Sequence, residues 1–137
     1  MSARTKARKR ALDLLYSADV RGQSLTEALE AETARAAREP ARAASWAYAS
    51  TIVRGVIEHA DEIDETIRTY ALDWPLERMP AVDRALLRIG VWELLHNPEV
   101  PAPAAIAEAV ESAATHSTAD SARFINGVLA RIGDARD

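Results

Sequence analysis

The residues of this 137-residue chain whose types invite chemistry are three histidines, a cluster of carboxylates and a run of arginines and lysines. Glu93-Leu-Leu-His96 has the Glu-x-x-His spacing of helical di-iron carboxylate sites. Such a site takes two of these pairs and two further glutamates. This chain has a single such pair, so no metal is assigned. Glu58, Asp61, Glu62, Asp64 and Glu65 are the carboxylate cluster. Paired carboxylates can move protons or hold divalent cations. At helical spacing, however, Glu58, Glu62 and Glu65 share one face opposite Ile63 and Ile67, which reads as a solvated face. His59, His96 and His116 have no serine or carboxylate at a catalytic spacing, so no triad is assigned. The absence of cysteine removes disulfides, thiolate metal sites and cysteine nucleophiles. There is no GxxxxGK[ST], GxGxxG or HExxH. None of these residues forms a recognisable catalytic or cofactor-binding set.

Charge is distributed unevenly. Residues 1–10 hold Arg4, Lys6, Arg8, Lys9 and Arg10 and no acid, a charge of +5 that leaves −9 on the rest of a chain whose net charge is −4. A basic arm on an acidic body reads as a nucleic-acid contact, with a salt-dependent and largely nonspecific grip. The other reading is a solvated terminus kept for solubility. Tyr16 lies shortly after this segment, and Phe124, the single phenylalanine, follows Arg123. Each ring could fill the core. Each could equally stack on single-stranded RNA, an interaction worth about 1–3 kcal/mol per base.

These residues need helices to hold them. Alanine is the commonest residue at 29 of 137, while glycine numbers only 5, a balance that favours helix throughout. Apolar spacing predicts a first helix from about Thr5 to Asp19, ended by Arg21-Gly22. Ser24 and Glu27 form a capping box for a peripheral second helix, Leu25 to about Arg38. A long helical stretch follows from about Ala41 to Ala71, with a break near His59 to Asp61 where Asp61 could act as a cap. Ala81 to His96 is apolar on nearly every side, the mark of a central helix. After the proline-rich loop Asn97 to Pro103, a helix runs to about Thr115. Ser117 or Thr118 caps a final helix that Gly133 ends. The expected fold is all-α, with six or seven helices. No apolar run is long enough to cross a membrane, and the N-terminus lacks the apolar core of a signal peptide.

Four segments, in order and spacing, resemble the NusB family. They are Ala7-Arg8 through Ala11 to Leu15-Tyr16; Val82-Asp83-Arg84-Ala85-Leu86-Leu87-Arg88-Ile89 with Glu93-Leu94; Val100-Pro101 through Ala105-Ile106-Ala107-Glu108-Ala109-Val110-Glu111; and Asp120-Ser121-Ala122-Arg123-Phe124-Ile125-Asn126-Gly127-Val128-Leu129. The last is the most specific, and together they cover nearly the whole chain.

The resemblance implies two packed helical bundles in one RNA-binding domain over 1–137, with subdomains of about 1–75 and 76–137. It implies a cytoplasmic transcription antitermination factor, not an enzyme, that binds single-stranded boxA RNA of ribosomal RNA leaders together with NusE, a small-subunit ribosomal protein. Other Nus factors and RNA polymerase are reached indirectly, and the factor is a monomer or a homodimer. By the resemblance, the RNA-facing residues are Arg4, Lys6, Arg8, Tyr16, Asp120, Arg123 and Phe124, and Asp83 faces the protein partner; Lys9, a further charge beside the arm, is counted with the RNA-facing set. His116 and Lys9-Arg10 depart from the family pattern. Two other readings are an interaction or dimerisation module with an inert basic arm, and the NusB-like domain of an RNA methyltransferase. The chain lacks the glycine-rich cofactor domain the latter needs. Asp120 is expected in the first turn of the final helix, one turn before Phe124. There it complements the helix dipole but repels approaching phosphates.

Overall fold

The first helix begins earlier than its apolar spacing predicts, because Ser2 caps it. In the computed structural model, which describes residues 2–136, Ser2 is extended and its Oγ accepts from the Thr5 amide at 3.0 Å. α1 therefore spans Ala3–Arg21. The whole basic segment from Arg4 to Arg10 thus lies in its first turns. α1 ends at Gly22, whose φ of 64° lets its amide return to the carbonyls of Ala18 and Asp19. Residues 1 and 137 of the expected domain lie outside the described residues.

α2 (Leu25–Ala37) starts at the Ser24 cap and buries only Ala28, Leu29 and Ala36, as a peripheral helix should. The long stretch divides into α3 (Pro40–Glu58) and α4 (Ala60–Tyr70). The break falls at His59, not at a cap supplied by Asp61. Asp61 and Glu62 instead occupy the first turn of α4, where carboxylates complement the helix dipole. A 3-10 turn over Leu76–Arg78 leads into α5 (Ala81–His96), whose bounds match the expectation. α6 spans Ala102–His116 and α7 spans Ala119–Ala135. Thr118 is the α7 cap, its Oγ1 accepting from the Ser121 amide at 2.9 Å. Gly133 does not end α7; its φ is not positive, and the helix continues two residues further. The described residues thus form seven α-helices without a strand, and the fold is all-α.

α5 is central for the reason its composition implies: α1, α3, α4, α6 and α7 all pack against it. α1, α2 and α3 also pack on one another, and α7 touches α4 and α6, so α5 belongs to both groups. One hydrophobic core runs through them. Ion pairs fix the N-terminal half of α5. Arg84 donates to Asp19 of α1 at 3.0 Å and to the Met79 carbonyl at 2.7 Å, and Arg88 donates to Asp64 of α4 at 2.9 Å.

α3 and α5 approach closely only because Gly55 has no side chain. A Cβ at Gly55 would lie 1.9 Å from Nε1 of the buried Trp92. Gly55→Ala should therefore destabilise the fold by about 1–3 kcal/mol through overpacking, measured as a lower urea midpoint. An unchanged midpoint would mean that the α3–α5 contact has slack.

Candidate nucleic-acid interface

Not all of the N-terminal basic residues face solvent. Arg8 turns inward, with a side chain only 12% exposed, and meets Glu93 of α5, which is 1% exposed. Arg8 Nε donates to both Glu93 oxygens at 3.0 and 3.1 Å, and Nη2 donates at 2.9 Å. The Tyr48 hydroxyl of α3 donates to the same carboxylate at 2.5 Å and accepts from Asn97 Nδ2 at 2.9 Å. Burial alone would lower the Arg8 pKa; the hydrogen bonds and charge of Glu93 outweigh it, and the net shift is upward. Burial, then Glu93, push the Tyr48 hydroxyl above the usual tyrosine range, so it keeps its proton for Glu93. Arg10 is also engaged. It donates to Glu32 of α2 at 2.9 Å and to the Arg42 carbonyl of α3 at 2.8 Å, and it lies over the Trp46 ring. Arg8 and Arg10 are therefore ties between helices. Arg8, expected on the RNA face, is held on Glu93 in this arrangement.

Arg4, Lys6 and Lys9 remain as the outward charges. Lys6 is exposed and takes no ion pair among the described residues. Arg4 lies over the Tyr48 ring and reaches Glu99 at 3.5 Å, and Lys9 pairs with Asp13 at 2.6 Å; both are surface contacts. Such pairs are weak and can be exchanged for a phosphate. Beside them runs a groove of about 260 Å³ between α1 and α6. Its walls include Thr5 and Lys9 from α1 and His116 from α6, and Leu86 and Ile89 of α5 lie beneath. Thr5 and Arg8 engage the wall residue Glu108, at 2.9 and 3.5 Å. Tyr16 is two helical turns beyond Lys9 on α1 and is 41% exposed.

The α7 residues sit at the end of the fold where α5 begins. Asp83, in the first turn of α5, is 0% exposed, and its oxygens accept from the Ser117 hydroxyl at 2.9 Å and the Ser121 hydroxyl at 2.7 Å. Asp83, expected to face a partner, is buried here with its carboxylate holding the start of α7. The Arg84–Asp19 pair binds the C-terminal end of α1 to the same end of α5. Tyr16 and the first turns of α7 thus belong to one end of the molecule, whereas Arg4 and Arg8 lie near the other end of α5. Asp120 is in the first turn of α7 and is ion-paired with Arg123, both well exposed. Phe124 is half-buried, its ring edge-on to Trp74 at 5.1 Å. Trp74 reads in the sequence only as part of the connector before Pro75; its contact with Phe124 has no local signal. The fold also stacks His59 on His96, a pairing with no signature in a sequence that separates them by 37 positions.

The described residues form an all-helical scaffold that presents a cationic edge on α1 and partly exposed rings at Tyr16 and Phe124, the features of a nucleic-acid-binding surface. A family model described as the NusB family matches residues 5–134. The transcription antitermination protein NusB of Leifsonia xyli is 68% identical over 132 residues, covering 96% of this chain and 92% of that one. The solved structure of T. maritima NusB aligns with a TM-score of 0.82 at 30% identity, over 96% of this chain and 90% of the other. The crystal structure of antitermination factors NusB and NusE in complex with dsRNA contains a chain that aligns with a TM-score of 0.77 at 27% identity, over 98% of both chains. The chain belongs to the NusB family of transcription antitermination proteins.

Breaking the buried pair tests the role of Arg8 as a tie. Glu93→Gln removes the main counter-charge of a part-buried guanidinium, leaving it only Glu108 at 3.5 Å, and should cost about 3–5 kcal/mol in urea unfolding. A loss below about 1 kcal/mol would show that solvent screens the pair as it does at a surface.

Proposed function

We propose that this chain is an antitermination factor that binds single-stranded boxA-type leader RNA together with NusE, and joins other Nus factors on RNA polymerase at ribosomal RNA operons. One observation carries this reading: a chain of the same fold, matched over 98% of both lengths, is solved with NusE and dsRNA. In this proposal Arg4, Lys6 and Lys9 supply phosphate contacts, Tyr16 supplies stacking, and Arg123 with the exposed part of Phe124 extends the face at α7. Arg8 and Asp83 act by holding α1 and α7 in place. The protein acts by binding, in the cytoplasm, as a monomer or a homodimer. Residues of about 1–75 and 76–137 serve as its two subdomains. No helix among the described residues is long and apolar enough to cross a membrane.

The direct test is binding to boxA RNA against a scrambled RNA, with and without NusE. Cognate preference that grows with NusE supports the proposal, and equal affinity for both RNAs would overturn it. The double variant Lys6→Gln, Lys9→Gln should weaken binding to both RNAs. It should also flatten the log–log salt slope by roughly 1.4, the loss of two single-strand phosphate contacts. An unchanged slope would make these lysines bystanders.

Asp120→Asn separates two roles for the α7 carboxylate. Removing its charge frees Arg123 and ends the repulsion of phosphate, so RNA affinity should rise, more at low salt than at high. Melting temperature should change little, since Asp120 is exposed and Thr118 supplies the cap. Weaker binding confined to cognate RNA would instead show that Asp120 accepts a hydrogen bond from a base.

A further inference from the structure

Three ligating side chains converge away from the basic face. His59 joins α3 to α4, Glu62 lies in the first turn of α4, and His96 is the last residue of α5. His96 Nε2–H donates to Glu62 Oε1 at 2.5 Å, and His59 Nδ1 lies 3.8 Å from the same oxygen. The two imidazoles are stacked, with centroids 3.6 Å apart and planes 8° from parallel. One nitrogen from each ring and one Glu62 oxygen all lie within 4.8 Å of one another. Glu58 and Asp61 line the same depression of about 440 Å³.

We propose that His59, Glu62 and His96 form a binding site for a first-row divalent metal ion, zinc in particular. The donor set favours it. Two imidazoles and one carboxylate suit zinc, whereas calcium and magnesium prefer oxygen ligands alone. His59 immediately precedes α4 and Glu62 lies in its first turn, which brings His59 Nδ1 to 3.8 Å from Glu62 Oε1. Four-coordinate zinc, with bonds of about 2.0–2.1 Å, holds its ligand atoms roughly 3.4 Å apart. The present separations bracket that value. Glu62, whose side chain is 55% exposed, has room to withdraw from His96 as the ion replaces the shared proton. The rings, each partly exposed, tilt out of their stack so that both lone pairs aim at one point. Water or the Asp61 carboxylate completes the coordination. The surroundings are electrostatically suited as well. α3 and α5 both end here, presenting two negative dipole ends against the one positive end of α4, and Glu58 and Asp61 offset the charge left after Glu62 binds. The ion would clip the α3–α4 junction to the end of α5.

Isothermal titration of the full chain with zinc chloride, and visible spectroscopy with cobalt(II) as a substitute, read this site directly. The expected result is saturable binding of one zinc per chain, a rise in melting temperature with zinc, and cobalt bands typical of low coordination number. His59→Gln and His96→Gln should each weaken zinc affinity roughly 10- to 100-fold, while His116→Gln, at the only other histidine, leaves it unchanged. Circular dichroism without metal establishes that each variant keeps its helices. Imidazole nitrogen NMR on the unaltered protein needs no variant, and zinc should shift His59 and His96 but not His116. No saturable binding at micromolar zinc would overturn the proposal. So would binding that survives both His59→Gln and His96→Gln, or shifts confined to His116.

Discussion

A carboxylate buried in a helical core has to be matched, and Glu93 is matched by Arg8 from α1 and Tyr48 from α3. The cost of desolvating these groups is recovered only if all of them are in place with good geometry. The network therefore acts as a registry pin. It sets α1 and α3 at one height along α5, and the Arg84–Asp19 pair sets α1 again toward the other end. Two fixed points on one helix define its direction, and α1 carries the outward lysines and Tyr16 along that line.

The same logic applies to α7. Its first turn is placed by Asp83, a second buried carboxylate on α5, through two serine hydroxyls. α5 thus presents a carboxylate toward each end, and both are used inward. Every surface feature of interest, the α1 basic edge, the groove beside α6 and the α7 turn, lies on an element that one of these acids holds. Specificity of placement, more than net stability, is what buried polar groups of this kind contribute.

The arrangement keeps attraction and structure on separate residues. Arg8 and Arg10 are ties between helices, while Arg4, Lys6 and Lys9 face outward, either free or in surface pairs that can be exchanged. An acidic body limits nonspecific adhesion to nucleic acid, so a cationic edge can steer a partner without the whole surface competing. Glu108, which lines the groove beside that edge, is partly neutralised by Arg8.

The sequence alone determined the helices, because hydrophobic periodicity and capping chemistry are local. The bounds of α5, the Ser24 and Thr118 caps and the Gly22 stop were all legible in neighbouring residues. Where local signals misled, the cause was also local: Ser2 as a cap was overlooked, and Gly133 was read as a stop although an α-helical glycine can simply continue. Which charges face outward was not legible. Arg8 and Lys9 are adjacent and chemically alike in sequence, yet a helix turns them about 100° apart, so Arg8 meets Glu93 and Lys9 meets solvent. Asp83 takes a partner-facing role only through the family resemblance, and nothing near it in the sequence announces the Ser117 and Ser121 hydroxyls that donate to it. His59 and His96 read as solitary for the same reason. Burial and pairing across tens of residues depend on how helices cross, and only the tertiary structure decides that.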